Sequence, residues 1–473
     1  MKTIRYYILL FAAMIAMACS SDNDTVDNPS VMFCEVNGHV AVSQLTFTNW
    51  QGFQMVDINA NTDWEVSCEV DWVTLSNRSG CPTVKENLHL KVSVEENTSG
   101  TDRSTDIILT AGGVTSRLSL TQSAQPVDNC GWPSAQEAGN TMKVGLNLYN
   151  SLDAWGTWFD WNDIDAFQTC WGNPLVTADW FRAVKSLGFN AVRIPVTWFP
   201  HMDENNHVSE AWMSRVEEVV DYALGAGLYC ILNVHHDTGS DEQAWLRANW
   251  SGIDPIQEKF VTLWQQIASR FESKGERLMF ESYNEMLDEK NTWTEPSSED
   301  GFRATNALAQ AFVNTVRASG GNNLHRNLIV NTYSAGGTSK TLGNFVIPTD
   351  QVPNHLMVEV HNYSPSGFTN ILGIADGISL PTWTSDFEKS LAGELDILIN
   401  YVNTNHVPMI IGEFGASEKI ADEELGKYAE YMVTYCRQRA NISLFYWPCV
   451  VDRYTFSTNY PCLTNGLLKA NDY

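Results

Sequence analysis

Positive charge is scarce in this sequence of 473 residues: 29 Lys and Arg stand against 56 Asp and Glu, a formal net charge of -27 at pH 7. So acidic a chain repels phosphate backbones and anionic headgroups, which argues against nucleic acid as a partner and favours a neutral substrate. Cys-x-x-Cys and the Cys/His spacings of metal sites are absent, so no metal is expected. Neither Gly-x-Gly-x-x-Gly nor a P-loop occurs, which removes the signatures of nucleotide-binding folds, and no cofactor is expected. The apolar run near the N-terminus, YYILLFAAMIAMA, is too short to span a bilayer as a permanent helix.

What is present is an ordinary globular composition, 44% hydrophobic and 18% charged, in a chain long enough for two domains. Seventeen Trp and an aromatic fraction of 11% suit the apolar faces of sugar rings, although Trp is equally a core residue. Lys2 and Arg5 precede the apolar run, which ends at Cys19 and gives way to SSDNDTVDN. This resembles a bacterial lipoprotein signal, which implies a signal peptide over residues 1–19, lipidation of Cys19 and attachment to the outer membrane of a Gram-negative bacterium. The acidic SDND resembles a surface-export tag, so the cell surface is the expected face. The plainer alternative is an ordinary signal peptide with an incidental Cys. A lipid on Cys19 leaves nine of the ten cysteines, so at least one thiol is free even in an oxidising compartment. Cys68 and Cys81 are a candidate pair. A monomer is expected.

Residues from about 40 to 125 read as short alternating strands, among them FQMVDINA, WEVSCEV and NLHLKVSVEEN, punctuated by Gly, Asn, Asp and Ser. That rhythm predicts a small all-β, immunoglobulin-like sandwich over residues 32–125, with Trp64 and Trp72 in its core and the domain acting as a spacer. Residues 126–140 read as a linker. From residue 141 to 473 apolar strands alternate with amphipathic helices: MKVGLNLYN, FNAVRIPV, LYCILNVHH, LMFESYNE, NLIVNTYS, HLMVEVHNY, VPMIIGEFG and ISLFYWP are the strands. Eight near-continuously apolar strands predict a (β/α)8 TIM barrel rather than a doubly wound sheet.

In such a barrel chemistry sits at the carboxyl ends of the strands. Those ends carry Arg193, His235 and His236, Asn284 and Glu285, His361 and Tyr363, Glu413 and Trp447. Each alone has a structural explanation, a satisfied histidine or a salt-bridged acid, but chance rarely places all of them at matching ends. Two Glu across a barrel mouth can cleave a glycosidic bond, Glu285 as acid/base and Glu413 as nucleophile. Glu285 must then be protonated, for which an apolar setting is expected, while Arg193 and Tyr363 keep Glu413 ionised. Asn284 is placed to bond the sugar 2-hydroxyl and Trp447 to stack under the ring. Trp245, Trp250, Trp293 and Trp383, in the mouth loops, are expected to line an open cleft.

The Asn284-Glu285 pair, Glu413 in IIGEFGA, Arg193 in NAVRIPVTW, His235 in LNVHHD, His361 and Tyr363 in EVHNYSP, and Trp447 together resemble glycoside hydrolase family 5, a family of retaining barrels. FQTCWGNPLVTADWFRAVKSLGFNAVRIPVTW resembles its subfamily 4, which implies an endo-acting enzyme on β-1,4-glucans such as xyloglucan, mixed-linkage glucan or cellulose-type chains. Met286 and Pro448 depart from the family pattern without touching a carboxylate. NTDWEVSCEVDWVTLSNRSG, with ENTSG further on, resembles the BACON-type sandwich found beside polysaccharide-degrading enzymes. Three rivals remain: the same mechanism on xylan or mannan, an inactive glycan-binding lipoprotein, and a metal hydrolase built on His235, His236, Asp237 and His361. The third is disfavoured because adjacent strand residues point to opposite sides.

Overall fold

A capping signature passed over in the sequence sets where the second half of the chain begins. Ser134-x-x-Glu137 forms a capping box: the Ser134 hydroxyl accepts from the Glu137 amide, and the Glu137 carboxylate accepts from the Ser134 amide. Residues 135–140, read above as linker, are therefore helical, in the helix Ala135–Met142. The computed structural model describes residues 28–473 apart from 37–39, 48–51, 84–87, 96, 98, 100, 125–130, 371–378 and 449. The signal segment with Cys19 and the first part of the predicted linker lie outside the described residues. The chain divides into two units, residues 1–127 and 128–473.

The first unit holds β1 (Val31–Cys34), β2 (Gln44–Phe47), β3 (Gly52–Ala60), β4 (Trp64–Ser67), β5 (Val73–Leu75), β6 (Ser79–Gly80), β7 (Leu88–Val94), β8 (Arg103–Ala111) and β9 (Val114–Gln122). They form two sheets, ordered β1-β3-β7-β5 and β2-β9-β8-β4-β6. β1, four residues of VMFC, carries no alternation and was not expected. Between the sheets Phe33, Ile58, Trp64, Leu90, Ile107 and Leu118 make one core. Trp64 is buried and its indole N–H donates to the Cys81 carbonyl. Trp72 packs at the core's edge under the Arg103 guanidinium, 4.3 Å from its ring centre. The Cys68–Cys81 pairing does not form. Cys68 is a free thiol whose sulfur lies 3.8 Å from the Thr105 hydroxyl, while Cys81 is disulfide-bonded elsewhere.

The second unit is a closed, all-parallel barrel of β10 (Val144–Asn147), β11 (Ala191–Ile194), β12 (Tyr229–Leu232), β13 (Leu278–Glu281), β14 (Leu328–Asn331), β15 (Leu356–His361), β16 (Met409–Phe414) and β17 (Ser443–Tyr446), ringed by helices. Seven of the strands are buried at every position and β15 at all but its ends, because helices cover one face and the barrel fills the other. Ala191, Ile231, Met279, Ile329, Met357, Ile410 and Phe445 pack with Ala135, Ala138 and Met142, so the helix Ala135–Met142 plugs the barrel floor. Two residues further along each strand, side chains of the same parity face the same interior. There the apolar filling gives way to Asn147, Arg193, Asn233, Glu281 and Glu359, all buried.

Outside the strands, Trp264 on the helix Ile253–Arg270 sits edge-on to Phe312 at 4.6 Å and donates its N–H to the Ser282 carbonyl. Trp264→Ala should therefore cost about 3–5 kcal/mol of barrel stability. A lowered denaturant midpoint checks this; a midpoint unchanged from the parent would contradict the packing.

Candidate active site

The site grows from Arg193. Its guanidinium is bidentate to Glu281, with Nε to Oε2 at 2.6 Å and Nη2 to Oε1 at 2.9 Å. Nη1 donates to Glu413 Oε1 at 2.8 Å and to Asn147 Oδ1 at 3.0 Å, and Nη2 to Asn284 Oδ1 at 2.8 Å. Burial opposes the guanidinium charge, but Glu281, Glu359 and Glu413 outweigh it and hold the group well above its ordinary range.

Glu413, in β16, has its two oxygens held by residues of β11 and of the segment just past β15. Arg193 takes Oε1, and the Tyr363 hydroxyl donates to Oε2 at 2.7 Å. Burial alone would raise this carboxyl, but His361, Arg193 and Tyr363 together hold it below the ordinary range, so it is ionised. Tyr363 is pushed far up by burial and by Glu413, and stays a donor. Glu285 differs: its side chain is 22% exposed and accepts from His361 Nδ1 at 2.8 Å. The apolar setting expected for it is replaced by a half-open position beside a histidine. Burial would lower that histidine, but Glu413, Glu285 and Glu359 push His361 up to about 10, making it an imidazolium. One oxygen each of Glu285 and Glu413 lie within 4.8 Å of one another.

Trp447 follows β17 and bonds through its N–H to the Phe414 carbonyl at 2.8 Å. A Cβ on Gly415 would collide with the Trp447 carbonyl, so glycine is what allows the two strand ends to touch. The Trp447 ring lies parallel to His235 at 5.9 Å and edge-on to Tyr149 at 5.5 Å. Burial first, then His236, Arg193 and His361, depress His235, leaving it neutral. Every site residue named from the described sequence is thus in one cluster.

Some expectations fail. His235 and His236 stand past the end of β12, where strand alternation no longer applies, and their rings approach to 4.6 Å beside Asp153. Asp153 already accepts the amides of Asn150 and Ser151, and His361 gives both ring nitrogens to carboxylates, which leaves it no lone pair for an ion. Of the four mouth tryptophans only Trp293 is exposed, at 51%. Trp245, Trp250 and Trp383 pack against the core, and Trp245 donates to Asp237 at 2.6 Å. Trp158, 68% exposed in the loop after β10, was overlooked. So were Glu281 and Glu359. Their signal was parity: each stands two residues after an inward apolar residue, Met279 or Met357.

A closed parallel barrel with two facing carboxylates at its strand ends, one ionised and buried and the other half-open, defines the class of protein. A family model described as cellulase (glycosyl hydrolase family 5) matches residues 152–450, and one described as a putative N-terminal binding domain, BACON, matches residues 62–123. The chain belongs to glycosyl hydrolase family 5. It is 36% identical over 345 residues to endoglucanase A of Clostridium longisporum, covering 72% of this chain and 64% of that one. To the xyloglucan-specific endo-beta-1,4-glucanase BoGH5A of Bacteroides ovatus it is 30% identical over 456 residues, 87% of each chain. It spans 40% of a third relative, the cellulase/esterase CelE of Acetivibrio thermocellus. Among solved structures, the family 5 enzyme PbGH5A of Prevotella bryantii is similar with a TM-score of 0.66 at 39% identity, covering 73% of this chain and 99% of that one.

Tyr363→Phe removes one donor to the Glu413 anion and nothing else from its shell. The Glu413 pKa must rise, so the acid limb of the pH–rate profile should move up by about one unit. A limb left in place would show that the hydroxyl does not stabilise the anion.

Proposed function

We propose that this protein is a retaining, endo-acting hydrolase of β-1,4-glucan backbones, of the xyloglucan, mixed-linkage glucan or cellulose type. The observation that carries this reading is the approach of Glu285 to Glu413 within 4.8 Å. A retaining pair stands about 5–5.5 Å apart, whereas an inverting pair needs about 6.5–9.5 Å to admit a water. Relatives named as endoglucanases and as a xyloglucan-specific endoglucanase support the substrate class. An inactive binding protein is disfavoured, since both carboxylates are present and differently held.

In this reading Glu413 attacks the anomeric carbon while Glu285 gives its proton to the leaving oxygen, forming a glycosyl–enzyme ester. Arg193 and Tyr363 aim the two Glu413 oxygens. Arg193 occupies Asn284 Oδ1, which leaves the Asn284 amide nitrogen as a donor for the sugar 2-hydroxyl. Glu285 then takes a proton from water as the ester is hydrolysed. The imidazolium of His361, bonded to Glu285, balances the charge that this residue gains on giving up its proton.

Glu285→Ala and Glu413→Ala should each lower kcat by about 10²–10⁴-fold or more, but with different rescue. Azide with Glu285→Ala and a good aryl leaving group should yield a β-glycosyl azide, by attack on the accumulated intermediate. With Glu413→Ala it should yield the α product. The reverse configurations would exchange the roles, and an inverted product from the parent enzyme would sink the double displacement. Early products from xyloglucan or mixed-linkage glucan should be mixed oligosaccharides; activity confined to xylan or mannan would overturn the substrate class.

We also infer lipid attachment at Cys19, from Lys2, Arg5 and the apolar run ahead of it. Cys19→Ala should move the protein out of the outer-membrane fraction. Retention there would defeat the anchor.

A further inference from the structure

One carboxyl in the barrel has no part in the reaction above. Glu359, on β15 two residues before His361, is fully buried. Its Oε1 lies 3.3 Å from His361 Nε2 and 3.4 Å from Arg193 Nε, while Oε2 has no hydrogen-bond partner among the described residues. The neighbouring strand is shaped to admit it: a Cβ on Gly412 would collide with Glu359 Oε1, so β16 carries glycine where any side chain would expel the carboxyl.

We propose that Glu359 is a positioning residue for the acid/base: seated in the space that Gly412 leaves open, it holds His361 by Nε2 so that Nδ1 presents its proton to Glu285. The proposal rests on the reading of Glu285 as acid/base. His361 Nδ1 stands 2.8 Å from Glu285 and 3.6 Å from Glu413, so a sub-ångström tilt of the ring would exchange the acid/base for the nucleophile as its partner. An imidazole is fixed by what its other nitrogen bonds. Among the described residues only Glu359 holds that nitrogen.

Glu359 does this as a neutral group. The charges facing it are Arg193 from β11, Glu281 from β13, Glu413 from β16 and His361 on its own strand. Glu281 and Glu413 as anions already balance Arg193 and His361 as cations. A further anion with one oxygen unpartnered in a sealed interior is unfavourable. Burial first, then the Glu281 charge, push the Glu359 carboxyl up to about 8, with Arg193 and His361 opposing. Below that pH it carries its proton, and its carbonyl oxygen accepts from His361 with the Arg193 guanidinium 3.4 Å away.

The test compares Glu359→Gln, which keeps a neutral acceptor, with Glu359→Leu, which keeps bulk without one. Near neutral pH the Gln variant should stay within about threefold of the parent, while the Leu variant should lose about 10–100-fold in kcat on soluble β-glucan with little change in KM. On an aryl glycoside with a good leaving group, which needs little protonation, formation of the glycosyl–enzyme by the Leu variant should be far less impaired. Gly412→Ala should reproduce the Leu loss in the parent background and add little in a Glu359→Ala background. The parent-minus-Gln infrared difference spectrum should show a neutral carboxyl band that disappears as pH rises through about 8. Gln as damaging as Leu, equal losses on both substrates, additive Gly412→Ala, or no such band would each overturn the proposal. Should the parent cleave no β-glucan, the substrate reading fails alone; the infrared band and the Gln/Leu contrast on the aryl glycoside still judge Glu359.

Discussion

A single buried guanidinium organises the barrel's mouth. Arg193 is sealed from solvent, and a charge taken out of water must be matched by partners with good geometry or it destabilises the fold. The planar fork of Arg meets this with hydrogen bonds to Asn147, Glu281, Asn284 and Glu413, drawn from β10, β13 and β16 and the segment after β13. Lysine, with one point charge, could not hold Glu281 bidentately and reach Glu413 as well. Glu413, the nucleophile of the proposed mechanism, is thus aimed by the same interaction that makes its burial tolerable, and the strand ends are joined through a side chain as well as through backbone pairing.

Arg193 also explains how two glutamates in one mouth differ. Glu413 shares Arg193 and takes a second donor from Tyr363, so both of its oxygens are committed and its anion is favoured despite burial. Glu285 lies out of reach of Arg193 and has His361 as its partner, with part of its surface open to the cleft. Two chemically identical side chains are set apart by what surrounds them, the arrangement that the proposed acid/base and nucleophile require. His361 bridges the two environments and so couples them.

Much of this was legible in the residues. Eight apolar strand runs gave the barrel, because parallel strands buried on both faces leave an unbroken signal, and between strands Leu425, Tyr428, Ala429, Met432 and Cys436 stand at helical spacing and are the buried side of the helix Asp422–Ala440. The site residues were legible because polar groups at the ends of apolar runs stand out. Glu281 and Glu359 were hidden for the opposite reason: they lie inside the runs, and only strand parity distinguishes an inward acid from one paired on the outer face. The mouth tryptophans were misjudged because sequence gives no depth. Trp245 and Trp293 both sit in polar loops, yet Asp237 ties one down and the other stays out. The disulfide failed for a related reason, since proximity in sequence says little about which sulfurs meet.

The division between strands and loops has a mechanical consequence. Groups that hold the carboxylates stand on or just beyond strands whose neighbours are packed on both sides, so their positions are fixed to within what a close-packed interior allows. The loops above are fixed differently, by carboxylates that cap their own backbone. Asp288 accepts the amides of Lys290, Thr292 and Ser297 and is held far below its ordinary range despite burial, which pins the turn that carries Trp293. Asp237 likewise joins the Trp198 amide to the Trp245 indole. The turn anchored at Asp288 can change its exposed residues without disturbing Arg193, because none of the Arg193 hydrogen bonds among the described residues reaches Asp288. The turn that carries Trp293 and the cluster that holds Glu413 are therefore fixed by separate carboxylates, whereas the loop of Trp245 stays tied to that cluster through Asp237, Trp198, Asn233 and Glu281.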